Sequence, residues 1–165
     1  MRRIALLAGA ALLAACATTT PYQPQRDGYG YTEQPLEPNR VRISFAGSSA
    51  TPRETVENYL LYRAAEVTLA RGFDYFVMSK SLTEARAGGN SPAVSLGFGG
   101  FSFGSRSSLG IGVGTSTGGG SKLAYTAQSD VLLFRGSKPA GDAQAFDARE
   151  VRSNLEAGIR RPVGP

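Results

Sequence analysis

Val41, Ile43 and Phe45 alternate with Arg40, Arg42 and Ser44, a period of two that marks a strand with one buried face. The period then lengthens. Thr51 is placed as a helix N-cap, Pro52 at the first helical position and Glu54 where a capping box closes. The helix is predicted to run to Arg71, with Gly72 as its left-handed stop. On its wheel Val56, Tyr59, Leu60, Ala64, Val67 and Ala70 share one face, an apolar stripe suited to covering a sheet. FDYFVMSKSL at 73–82 and YTAQSDVLLFRG at 125–136 read as two further strands, rich in aromatic and branched side chains. A last helix is written by Asp147 as N-cap, Glu150 in the capping box, Phe146 and Val151 as a hydrophobic staple and Gly158 at the end. This order predicts an α+β fold, a small mostly antiparallel sheet with two amphipathic helices packed on one face and a glycine-rich hairpin insertion.

That insertion is residues 88–120, of which twelve are glycine. A flexible linker has no reason to space large apolar residues two apart, yet Val94, Leu96 and Phe98 alternate, then Phe101 and Phe103, then Leu109, Ile111 and Val113. The pattern predicts a hairpin, with Gly99 and Gly100 shifting its phase like a bulge and GSRSS at 104–108 turning the chain. Its apolar face either extends the core or receives a partner. Phe98, Phe101, Phe103, Leu109 and Ile111 are the candidate partner-binding residues.

The first fifteen residues have a different logic. Arg2 and Arg3 precede the apolar run Ile4 to Ala14, which ends in small residues, the arrangement of an export signal. At about 1.5 Å per residue that run covers roughly 18 Å, too little to span a hydrocarbon core of about 30 Å. Leu13, Ala14, Ala15 and Cys16 resemble a bacterial lipobox, whose chemistry implies covalent diacylglycerol on the Cys16 sulfur, cleavage before it and an N-acyl chain, palmitate in type, on the new amino group. Several chains on one residue anchor stably where one would not. Cys16 is the only cysteine, so no internal disulfide is expected. Ala17 in place of an aspartate resembles an outer-membrane sorting signal, with the domain facing the periplasm. Residues 16–39 carry four prolines and almost no aliphatic side chains. They read as an acylated cysteine and solvated tether, tempered by Tyr29 and Tyr31 beside the first strand, and residues 40–165 read as the domain.

Charge and chemistry mostly exclude. The formal charge is +5, lowered by two when Arg2 and Arg3 leave with the signal, and its arginines are scattered along a chain destined for export, so no nucleic-acid partner is expected. With no histidine, the usual neutral-pH base and the commonest metal ligand are missing. GTSTG at 114–118 matches the nucleophile-elbow string without a histidine or a strand–elbow–helix setting. No catalytic residue, metal site or further cofactor is assigned. Arg63 lies in the apolar helix stripe. It reads first as an arginine laying its stem on the core with its head outward, and alternatively as one half of an internal ion pair, with Glu66 on its own helix or with Asp74 or Asp130.

The stretches GYGYTEQ, RVRISFAG and TPRETVENYLLYRAAEVTLARGFDYFVM resemble a family of short alphaproteobacterial outer-membrane lipoproteins over residues 12–82. The resemblance implies the lipid anchor and no particular activity, and Arg63 and Glu66 match its helix motif without a role attached. The expectation is a non-enzymatic lipoprotein that binds or assembles with an envelope protein or cell-wall polymer. A histidine-free glycan hydrolase using two carboxylates and a purely structural spacer are the alternatives.

Overall fold

The computed structural model describes residues 18–87, 94–97 and 123–162. Its centre is a six-stranded sheet in which every strand pairs antiparallel with its neighbours. The strands are β1 (Gly30–Glu37), β2 (Arg40–Ala46), β3 (Tyr75–Ala87), β4 (Val94–Gly97), β5 (Leu123–Phe134) and β6 (Ala145–Asp147). The order across the sheet is β1-β2-β5-β3-β4, and β6 pairs with the first residues of β3, opposite Tyr75 to Val77. The helices are α1 (Arg53–Ala70) and α2 (Ala148–Leu155), the latter continued by a 3-10 turn at Glu156–Gly158. The expected α+β class is the fold observed.

Register places the core. Val41 pairs with Val131, Ile43 with Ser129 and Phe45 with Ala127, and directly paired residues share a face. These side chains are all buried, with Phe76 and Leu133 beside them, and α1 lies over them. Between Ser79 and Leu82 the pairing of β3 with β5 slips by one residue, a bulge that moves the inward side chains from the Phe76–Met78 phase to that of Thr83. The opposite face carries the Arg42–Asp130 ion pair and the stacked rings of Tyr75 and Phe134. No helix covers it among the described residues.

Four expectations need correcting. Helix α1 starts one residue late: Pro52 is the N-cap and no side chain caps it, because the Thr51 hydroxyl, buried, accepts the Thr20 N–H at 2.8 Å instead. The helix is also not buried along a single stripe. Leu61, Tyr62, Ala65 and Thr68 are buried too, and Ala70 is exposed, because α1 has the sheet on one side and α2 and the N-terminal segment on others. Residues 17–39 are not simply tether. Gly30–Glu37 form the edge strand β1, and Tyr22, only 6% exposed, joins the core. Finally, Arg63 pairs with neither Asp74, which binds Arg149, nor Asp130, which binds Arg42.

The helix ends follow their local signals. Gly72, at φ +76°, closes α1 with its own N–H on Leu69 O while the Phe73 N–H reaches back to Thr68 O, the paired bonds of a Schellman motif. The Asp147 carboxylate accepts the N–H groups of Arg149 and Glu150 at 2.9 and 3.0 Å. Phe146 and Val151 are both partly buried against the core. Of the glycine-rich stretch, Val94–Gly97 form β4, paired with β3 from Leu82 to Ala85. The rest of the expected hairpin lies outside the described residues.

Candidate functional site

Residues 18–24 form a strap that runs along α1, from Thr51 before its first turn to Tyr62 and Glu66 past its middle. Thr18 O accepts from Ser48 Oγ at 2.7 Å, Thr20 Oγ1 accepts the Ser48 N–H at 2.8 Å, and the Tyr22 N–H donates to Arg160 O at 2.7 Å. The strap is thereby joined to the β2–α1 corner at one end and to the C-terminal tail at the other. Gly30 makes room for it: a Cβ there would stand 2.5 Å from Gln23 O.

The strap inserts Tyr22 among three other tyrosines. Its ring centroid lies 5.0 Å from Tyr31, 5.5 Å from Tyr59 and 5.2 Å from Tyr62, the last two edge to face, a favoured geometry for aromatic pairs. The phenol donates to Glu66. Burial, then the hydrogen bond and charge of Glu66, push the Tyr22 phenol far above its ordinary pKa, against the pull of Arg63.

Arg63 organises the charged part of the cluster. It binds Glu33 from β1, donates to Glu66 Oε2 at 2.7 Å and stacks its guanidinium 4.2 Å above the Tyr31 ring. Burial would lower its pKa, but the bonds to Glu66, Tyr22 and Glu33 outweigh that and raise it. One cation thus serves two carboxylates from different elements, a third-party pairing that an isolated helix motif does not reveal.

Next to this cluster a groove of about 500 Å³ opens between β1, the C-terminal half of α1 and α2. Val67, Leu69 and Ala70 give it an apolar wall, Glu33, Arg63 and Glu66 form its charged end, and Arg71 and Arg152 stand on its rim. Neither guanidinium group makes a hydrogen bond or close ion pair among the described residues, and Arg152 is near enough to Glu156 to help lower the pKa of that carboxylate. The groove can therefore offer two cations and apolar surface to an anionic, partly apolar ligand.

A second tyrosine site sits at the C-terminal tail. Tyr62 donates to Glu156 Oε2 and accepts from Arg161 at 2.9 Å. Burial, then the Glu156 hydrogen bond and the Glu66 charge, push its phenol up to about 12. Glu156 is held below the usual carboxylate range by Tyr62 and Arg161. Tyr59 completes the tail's attachment by accepting the Arg160 N–H at 3.0 Å.

Of the residues singled out by sequence, Arg63 and Glu66 face each other in this cluster. Cys16 and the lipobox residues Leu13, Ala14 and Ala15 lie outside the described residues, as do Phe98, Phe101, Phe103, Leu109 and Ile111. Sequence reasoning missed Tyr22, Glu33, Arg71 and Arg152. The only signal for Tyr22 was an aromatic in a segment otherwise free of large apolar side chains. Glu33 carried none, since its contact with Arg63 spans thirty residues.

Comparison with protein-family models, curated proteins and solved structures finds no match to this chain.

Proposed function

We propose that this chain is an outer-membrane lipoprotein, acylated at Cys16, whose domain faces the periplasm and binds another envelope component, protein or polymer, without catalysing a reaction on it. The observation that carries the binding part is the groove. Its two carboxylates, Glu33 and Glu66, are both held by Arg63, so they serve as ion-pair acceptors. A glycan hydrolase needs two carboxyl groups on either side of a bond, one of them free to give up a proton. The cations Arg71 and Arg152, which line the same groove as Val67, Leu69 and Ala70, suit a ligand with a carboxylate or phosphate beside an apolar group. Anchoring adds to a weak contact of this kind by raising the local concentration of the partners.

The test is photo-crosslinking in cells from a probe at Ala70, an exposed residue of the groove wall. The expected result is one dominant crosslinked species that disappears when Arg71 and Arg152 are changed to serine. A blank from abundant, folded protein, or hydrolysis of cell-wall glycan by the purified chain, would refute the reading. The anchor is tested by Cys16→Ser, which is expected to abolish incorporation of labelled lipid and release the protein from the membrane fraction.

A further inference from the structure

The strap determines which end of the domain the anchor holds. Thr18 is bonded to Ser48 at the β2–α1 corner, and Cys16 precedes it by two residues. Two residues span at most about 7 Å, so an anchor on Cys16 has little chain with which to stand off from this corner. The residues that the sequence offers as a long tether are consumed in Thr20, Tyr22 and β1, leaving no slack between an acyl chain and the domain.

The same end of the sheet has a distinct surface. Gly30 pairs with Ala46 and the Gly47 N–H donates to Tyr125 O at 2.8 Å, so Tyr29, the β2–α1 corner and the start of β5 all lie together. Among the described residues the exposed large apolar side chains are Tyr29, Leu82 and Leu123, and two of them, Tyr29 at 44% and Leu123 at 40%, are at this end. Arg26 and Arg86 are exposed there as well, with acidic Asp27, Glu54 and Glu84 nearby. Tyrosine and arginine, with an apolar body and a polar tip, suit the headgroup layer. The mixed charge means that the acyl anchor, and not net charge, has to supply the attraction.

We propose that the anchored protein stands on this end, with the β2–α1 corner, Tyr29 and Leu123 against the phospholipid surface of the leaflet that holds Cys16. The proposal rests on acylation of Cys16. It places the far end of the sheet, where Lys138 is exposed, roughly 40 Å from the lipid, since β5 runs twelve residues at about 3.4 Å each. The domain would then project perpendicular to the membrane.

The full acylated chain carrying Ser49→Cys or Lys138→Cys, spin-labelled and reconstituted in phosphatidylethanolamine–phosphatidylglycerol vesicles, tests this. Acylation leaves the engineered thiol as the only reactive one, and intact mass reports whether the acyl chains are present. The Ser49 label is expected to lose collision with an aqueous nickel chelate on reconstitution while the Lys138 label keeps it. Inserting roughly ten Gly/Ser residues after Ala17, which adds about 17 Å of average reach, is expected to restore chelate access at Ser49. With the acyl mass present, equal access at the two labels would overturn the orientation, and protection of Ser49 that survives the insertion would overturn the role of the short strap. Absence of the acyl mass would overturn both this proposal and the anchor beneath it.

Discussion

Replacing Tyr22 with alanine tests whether the strap is part of the fold. The ring is 6% exposed and makes three aromatic contacts at 5.0–5.5 Å, and truncating a buried aromatic costs about 3–5 kcal/mol where the site cannot collapse. Here the cost has a ceiling, because a strap that detaches loses only its own docking free energy. We therefore expect about 3 kcal/mol for Tyr22→Ala. Tyr22→Phe keeps the ring contacts and removes the hydroxyl, with its hydrogen bond to Glu66 and its interaction with Arg63. Hydrogen bonds to charged groups are worth about 1.5–3 kcal/mol, but the Glu66 side chain is one-quarter exposed and keeps Arg63, so water and the cation compensate and about 1 kcal/mol is expected. For a domain of this size each kcal/mol moves Tm by about 2–4 °C, so the alanine variant should melt roughly 6–12 °C lower. Urea unfolding of the purified full chain, followed by circular dichroism, gives both free energies. A loss below about 0.5 kcal/mol for Tyr22→Ala, the range of ordinary surface changes, would refute the reasoning and return residues 18–29 to the role of a solvated tether.

Gly47→Ala should cost about 1–3 kcal/mol in the same assay, because the new methyl would meet Val56 Cγ2 at 2.6 Å and Thr51 Cβ at 3.0 Å within a buried corner; an unchanged midpoint would show that the corner can open. Asp147→Ala removes both N-cap bonds of α2 and should cost about 1 kcal/mol, with Asp147→Asn retaining most of the stability. Alkali should unfold the domain in a defined window. Tyr62 is raised from 10 to about 12 in the fold, so its contribution is complete below pH 10 and is lost as the pH rises from about 10 towards 12, when the native state holds the proton and the unfolded chain does not. Buried Tyr22 is raised in the same sense, and absorbance at 295 nm during an alkaline titration should report both phenols ionising with unfolding; titration of every tyrosine near pH 10 in a folded chain would contradict the geometry.

Local signals were legible where a single residue's chemistry settles the outcome. The alternation of β2, the Gly72 stop and the Asp147 cap needed only neighbours in sequence. The glycine-rich stretch was legible to the extent that Val94–Gly97 pair as a strand. The start of α1 was misread because Thr51 has two partners available to one hydroxyl: its own helix, or the Thr20 N–H thirty-one residues away. Sequence shows the first and hides the second. The edge strand β1 was misread for a related reason. TEQPLEPN is polar because an edge strand on this sheet leaves most of its side chains in water, and a proline-bearing edge has the same composition as a linker.

Arg63 shows why the charged cluster was the least legible part. In the helix stripe it looked like a residue that must reach outward to water, since a bare internal charge is too costly. That argument assumes the stripe meets apolar surface throughout. In the structure the strap and β1 bring a phenol, a carboxylate and an aromatic face to the same position, so the guanidinium stays half-buried and ion-paired without leaving the stripe. The cluster exists only because residues 18–33 fold back over α1. The strap therefore assembles the charged wall of the groove, and on the proposed function loosening Tyr22 should weaken partner binding as well as stability. Tyr22→Ala is accordingly expected to diminish the Ala70 crosslink at temperatures where the domain is still folded. A crosslink of unchanged yield would show that the groove is complete without the strap, and would leave Tyr22 a role in stability alone.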